Sequence, residues 1–315
     1  MSDAPTPRDP SAPPRIAVEP NSGRAESLRA AVVEGGGVLA DVEDADALVW
    51  ADAARADLMP GLLARGQQLR WVQLPFAGIE NYVHLLDDER TWTCGKGVYA
   101  PPVAEHALAL ALAGLRHVAG YAREQRWSAP VGRNLLGARV TILGGGEITA
   151  SLLELLAPFG ATTTVVRRRS TPMPGADRTV TTADLHDALD GADLVVVALA
   201  LTPETEGVIG AAELDVLPSH AWIVNVGRGR HIDTDALVAA LDAGRIGGAA
   251  LDVTDPEPLP EGHPLWTHPR AIVTPHIANT PEMGIPLLAA RVTENVRRFA
   301  RGEPLLGLVD VDAGY

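Results

Sequence analysis

The chain reads as an α/β protein of two doubly wound parallel-sheet domains with a cleft between them. Three observations carry that reading. Its 315 residues exceed what one core usually serves, and a hydrophobic content of 46% is enough for two. From Arg139 onward, nearly continuous β-branched runs alternate with helix-forming stretches, as in strands buried on both faces. The run VTIL leads directly into Gly144, Gly145 and Gly146 ahead of a helical segment. Such a strand-turn-helix lets backbone approach an anionic ligand, which makes the domains Rossmann-like.

In chain order, residues 1–14 are acidic, proline-rich and without an apolar centre, so they are read as a disordered tail rather than a signal peptide or membrane anchor. RIAV, a helix near Arg24 to Val33, ALVW at 47–50, a helix near Leu58 to Ala64 and WVQL at 71–74 make a small βα domain. A long helix is expected from Pro101 to Val118, where prolines are tolerated at the start and strong helix formers follow. The regular alternation then runs through VTIL, a helix from Glu147, TTTVV at 162–166, a helix near Ala183 to Leu189, and LVVVAL at 194–199. It continues with WIVNV at 222–226, a helix near Asp233 to Ala243, GGAALDV at 247–253 and AIVTP at 271–275. A last helix near Pro281 to Arg301 brings no new strand series and packs back on the first domain. The expected division is therefore 15–100 plus 281–315 for the substrate domain and 101–280 for the dinucleotide-binding domain.

Bulk charge narrows the partners. With 26 basic and 40 acidic residues the net charge is -14, which disfavours nucleic acid and anionic membrane by repulsion. An anionic substrate therefore needs a local cationic site. The most apolar run, LVVVALAL, has eight residues, far short of the roughly 20 a spanning helix requires. Cys94 is the only cysteine, so no internal disulfide forms, and a reducing, cytoplasmic setting fits. No metal-ligand set is assigned.

In the glycine turn, Gly144 makes the tight bend, Gly146 admits the pyrophosphate, and Glu147 and Ile148 open the helix whose amides face it. Thr149 stands where a glycine or alanine would let helix pack closely on strand. After the next strand, where an acidic residue would select NAD(H), the chain has Arg167, Arg168 and Arg169. A guanidinium binds a 2′-phosphate with paired hydrogen bonds, so NADP(H) is favoured and NAD(H) is the alternative cofactor. The competing reading of this run is a solvated basic strand end.

Arg228 in NVGRGRHID, Glu257 in LDVTDPEP and His276 in TPHIANT follow one another at the ends of apolar, strand-like segments. A cation, an acid and an imidazole are what a hydride-transfer site needs. Together with AGIEN at 77–81, VAEHALALALAGLR at 103–116, GGGEI at 144–148 and LALTPETEGVIG at 199–210, these segments make the chain resemble the D-isomer-specific 2-hydroxyacid dehydrogenases. The resemblance covers about residues 47 to 301.

That resemblance implies an oxidoreductase that passes a hydride between a nicotinamide cofactor and a small 2-keto or 2-hydroxy acid, as a glyoxylate/hydroxypyruvate reductase does. Arg228 would bind the substrate carboxylate and neighbouring carbonyl oxygen. His276 would exchange the proton, and Glu257 would orient the imidazole and counter its charge. It also implies that Asp252 lies near the nicotinamide carboxamide, that Leu199, Thr205 and Val226 meet the cofactor, and that the amides of Ala77 and Gly78 help hold the substrate. The domains would close over the cofactor, and a homodimer is expected, with 121–131 as a candidate arm. Trp50 and Trp266 are weaker pocket candidates. Glu257 argues against a formate dehydrogenase, which resembles this architecture but has glutamine there. The alternatives are a short phosphoglycerate dehydrogenase-like enzyme and a catalytically weak nucleotide sensor on the same fold, the latter motivated by Thr149.

Overall fold

The computed structural model describes residues 12–311. Of the tail expected over 1–14, residues 1–11 lie outside the described residues. The chain divides into two compact units, residues 1–99 with 281–315 and residues 100–280.

The first unit opens with β1 (Arg15–Glu19), α1 (Ala25–Glu34), β2 (Val38–Leu39), β3 (Ala47–Trp50), α2 (Met59–Arg65), β4 (Trp71–Gln73) and β5 (Thr91–Thr93). The strands form one parallel sheet in the order β2-β1-β3-β4-β5. β3 is buried along its whole length, so its run of Ala, Leu, Val and Trp needs no polar alternation. β2 and β5 are edge strands of two and three residues and carry too little apolar pattern to be foreseen.

The second unit starts with α3 (Ala100–Leu115) and α4 (Val118–Arg123). The single helix expected to Val118 is thus broken. His117 takes a left-handed φ of 55°, and its ring packs edge-on to Tyr121 at 5.3 Å. A β-carbon at Gly120 would collide with that imidazole, so the glycine permits the turn. α3 is buried along one face, where Gly114 lies under the Trp222 ring.

The unit continues through β6 (Arg139–Leu143), α5 (Glu147–Leu156), β7 (Thr162–Val166), β8 (Arg178–Val180), α6 (Leu185–Leu189), β9 (Leu194–Val197) and α7 (Ala211–Val216). It is completed by β10 (Trp222–Asn225), α8 (Thr234–Asp242), β11 (Gly248–Leu251) and β12 (Ala271–Val273). All seven strands are parallel, in the order β12-β11-β10-β9-β6-β7-β8. Two apolar layers cover the two faces. One is built on Val195, Val197, Ile223 and Leu251, the other on Val140, Ile142, Val196 and Val224. This is the doubly wound fold, with strand order reversing between β6 and β9.

α9 (Pro281–Arg301) then returns to the first unit. Its buried Asn295 donates to the Gln73 side chain at 2.9 Å and to the Leu306 carbonyl at 3.0 Å. Thr293 donates to the Ala31 carbonyl, tying α9 to α1. These bonds satisfy polar groups that would otherwise be costly in a core. Among the described residues, no helix is long and apolar enough to cross a membrane.

Candidate active site

Each loop that leaves the carboxyl end of β6, β7, β9, β10, β11 and β12 carries at least one candidate residue. In an open parallel sheet, ligands bind outside the carboxyl ends, at the point where strand order reverses. The β6 loop stands at that point.

Gly144 has φ +115°, and a β-carbon there would collide with the Ala198 carbonyl. Gly146 precedes α5 without a side-chain cap, and a β-carbon on it would have no atom within 4 Å. The first turn of α5, with Glu147 exposed and Ile148 half-buried, therefore presents backbone N–H groups to open space. Thr149 is fully buried and donates from Oγ1 to the Gly144 carbonyl at 2.9 Å. Its hydroxyl thus ties the helix to the turn. These residues fit the pyrophosphate of a dinucleotide.

After β7, the Arg167 side chain lies over Gly145 and reaches Met173 Sδ at 3.5 Å, while Arg168 and Arg169 are exposed. After β9, Leu199 is half-buried. The Thr205 hydroxyl works inside its own loop, donating to the Ala200 carbonyl and accepting from the Thr202 N–H, both at 2.8 Å. Val226, after β10, is core, and its N–H donates to the Val197 carbonyl.

Arg228 follows on an extended backbone and is half-buried. Its own N–H donates to His231 Nδ1 at 3.1 Å, its carbonyl accepts from Asn225 Nδ2 at 2.9 Å, and Nη1 donates to the Gly227 carbonyl. Burial holds the His231 imidazole below its ordinary pKa, as befits a ring whose Nδ1 accepts a backbone bond. A β-carbon at Gly229 would collide with the Thr254 carbonyl, so only glycine lets the β10 and β11 loops meet here.

The β11 and β12 loops bring Glu257 and His276 together. His276 Nδ1 lies 2.6 Å from Glu257 Oε1, and both side chains are about half exposed. A carboxylate can only accept, so Nδ1 carries the hydrogen and Nε2 is left to exchange a proton. His276 holds a left-handed φ of 53°.

Asp252 is 2% exposed and fully engaged. It accepts from Thr274 Oγ1 at 2.6 Å, Ile277 N at 2.9 Å and Ala278 N at 3.0 Å, with His106 Nε2 3.3 Å away. Burial opposes its charge, but the His106, Thr274 and backbone bonds win and bring its pKa down to about 2.

Ala77 and Gly78 belong to the first unit, in the loop after β4, with Ala77 exposed. Trp50 is fully buried core in that unit, and Trp266 is 40% exposed in the second. His106, Thr274 and His231 carry no role in the sequence reading. The available signal was a lone histidine inside an apolar helix and another beside the arginine.

Residues 107–278 match the family described as D-isomer specific 2-hydroxyacid dehydrogenase, NAD binding domain. Glyoxylate/hydroxypyruvate reductase A of Klebsiella pneumoniae (strain 342) is 38% identical over 178 residues, a match spanning 56% of each chain. Two solved structures align over 96% of this chain and 100% of their own. One is a D-isomer specific 2-hydroxyacid dehydrogenase from Xanthobacter autotrophicus Py2 in complex with NADPH and MES, 29% identical with a TM-score of 0.82. The other is an NADPH-dependent glyoxylate/hydroxypyruvate reductase from Sinorhizobium meliloti in complex with NADP and sulfate, 27% identical with a TM-score of 0.79.

Proposed function

This chain belongs to the D-isomer specific 2-hydroxyacid dehydrogenase family, and we propose that it is an NADP(H)-preferring reductase of small 2-keto acids such as glyoxylate or hydroxypyruvate. The observation that carries the proposal is the 2.6 Å bond between His276 and Glu257 at the carboxyl edge of a sheet whose glycine turn fits a dinucleotide. Relatives named for that activity, and solved neighbours holding NADPH or NADP, support the choice of substrate and cofactor.

A bound nicotinamide would supply or accept the hydride. Gly144, Gly146, Glu147 and Ile148 would hold its pyrophosphate, with Arg167 and Arg168 on the 2′-phosphate and Leu199, Thr205, Val226 and Asp252 along the rest. The Arg228 guanidinium binds the substrate carboxylate and gathers negative charge on the neighbouring oxygen. His276 gives a proton from Nε2 to that oxygen in reduction and takes it back in oxidation. Glu257 fixes the ring so that Nε2 faces outward from the pair. Ala77 and Gly78 are proposed to offer backbone amides to a substrate carboxylate.

We also infer a cytoplasmic homodimer. The dimer is supported by exposed apolar side chains in and beside the 121–131 arm, where Trp127 is fully exposed and Val118, Val131 and Leu136 are more than half exposed.

The test is the initial rate of NADPH and NADH oxidation with glyoxylate, hydroxypyruvate, pyruvate and phenylpyruvate. Turnover is expected with the smaller acids and faster with NADPH. Binding of NADPH with no turnover on any acid would instead favour a nucleotide sensor.

A further inference from the structure

We infer that His106, on α3, is a positioning residue for the turn that carries His276, acting through Thr274 and Asp252. The inference rests on the proposed acid–base role of His276.

His106 sits in the apolar run AEHALALAL, with its side chain 20% exposed. Its Nε2 lies 3.1 Å from Thr274 Oγ1 and 3.3 Å from Asp252 Oδ1. The single hydroxyl proton of Thr274 is committed to Asp252 Oδ1 at 2.6 Å. The hydroxyl therefore turns a lone pair toward the imidazole, and His106 Nε2 must be the donor. The order of donation is imidazole to hydroxyl to carboxylate.

Asp252 passes the constraint on. Its Oδ1 receives the Ile277 N–H, its Oδ2 the Ala278 N–H, and its carbonyl the His276 N–H at 2.8 Å. Three consecutive amides thus hang from one residue. His276, the first of the three, holds φ +53°, a conformation that a residue bearing a β-carbon adopts only when its surroundings impose it. The surroundings here are the Asp252 carboxylate, and that carboxylate is held in turn by a side chain from α3. The helix is a firm anchor, because Gly114 packs it against the Trp222 ring of β10. Without the His106 donor, a buried carboxylate and a half-buried hydroxyl share one bond fewer, and the turn loses its link to the helix.

The experiment compares wild type, His106→Leu and His106→Gln. Glutamine keeps an N–H at similar reach, whereas leucine keeps only the bulk. Two quantities are read: NMR amide exchange at Ile277 and Ala278, and kcat for NADPH oxidation with hydroxypyruvate beside KM for NADPH. In His106→Leu, exchange at those two amides should speed up about tenfold and kcat should fall about tenfold, with KM for NADPH moving less than about twofold. His106→Gln should restore both to within about twofold of wild type.

Unchanged exchange and kcat in His106→Leu would overturn the inference. So would faster exchange spread evenly through α3 and β11 without rescue by glutamine, since that marks general loosening. If wild type turns over no 2-keto acid, the proposed function is what fails, and the exchange comparison alone still decides the role of His106.

Discussion

The buried carboxylate of Asp252 is the charge on which the His276 turn depends, and acid should expose that dependence. Its pKa falls from 3.8 in the unfolded chain to about 2 when folded. A depressed carboxylate stabilises the fold above its unfolded pKa and loses that contribution as pH falls through the folded value. The difference corresponds to about 2 kcal/mol at neutral pH. Asp252→Asn should therefore unfold more easily than wild type at pH 7, and the gap in urea midpoint should close between about pH 4 and pH 2. A gap that stays constant down to pH 2 would show that Asp252 carries no such charge-dependent stability. Spacing alone makes Asp252 a polar residue after an apolar run, and only the family resemblance places it near the nicotinamide. Its partner His106 lies 146 positions upstream (252 minus 106) on a helix whose pattern is otherwise apolar. Spacing along a strand series says nothing of such a contact, because it depends on which helix covers that face of the sheet.

Among the elements, the β6 turn and the β7 end are the ones proposed to select the cofactor. Arg167 rests over Gly145, with Arg168 exposed beside it. Arg167→Asp combined with Arg168→Ala should raise KM for NADPH about tenfold or more while leaving KM for NADH within a few fold, since paired guanidinium bonds to a phosphate are lost and a repelling charge is gained. An unchanged ratio would mean that the arginines are a solvated strand end. Thr149 reads in the sequence as a flaw in the glycine motif, yet its buried hydroxyl bonds the Gly144 carbonyl. Local pattern cannot show that compensation, because the donor and acceptor meet only when helix packs on strand. Fully buried strands such as β9 and β10 were legible for the opposite reason, being covered on both faces. β2, β5 and β8 were not, since each is a sheet edge of two or three residues with at least one exposed position. The break at His117 was hidden as well, because the helix-forming pattern runs through it and only its left-handed φ separates α3 from α4.

For the whole molecule, alternation of strand and helix was enough to foresee two parallel-sheet units, since βαβ crossovers leave few arrangements open. Association is another matter, because the proposed dimer rests on exposed apolar side chains around the 121–131 arm. Light scattering should give twice the chain mass of 33.1 kDa, and replacing the fully exposed Trp127 with serine should shift the protein toward monomer. A monomer mass for wild type at assay concentration would remove the dimer. Whether His276 exchanges a proton beside a hydride transfer is decided by the rate of NADPH oxidation with hydroxypyruvate in wild type and His276→Ala side by side. Turnover is expected in wild type, with kcat lower by about 10²–10⁴-fold in the variant and NADPH affinity nearly unchanged. Equal turnover in the two proteins would contradict that role of His276.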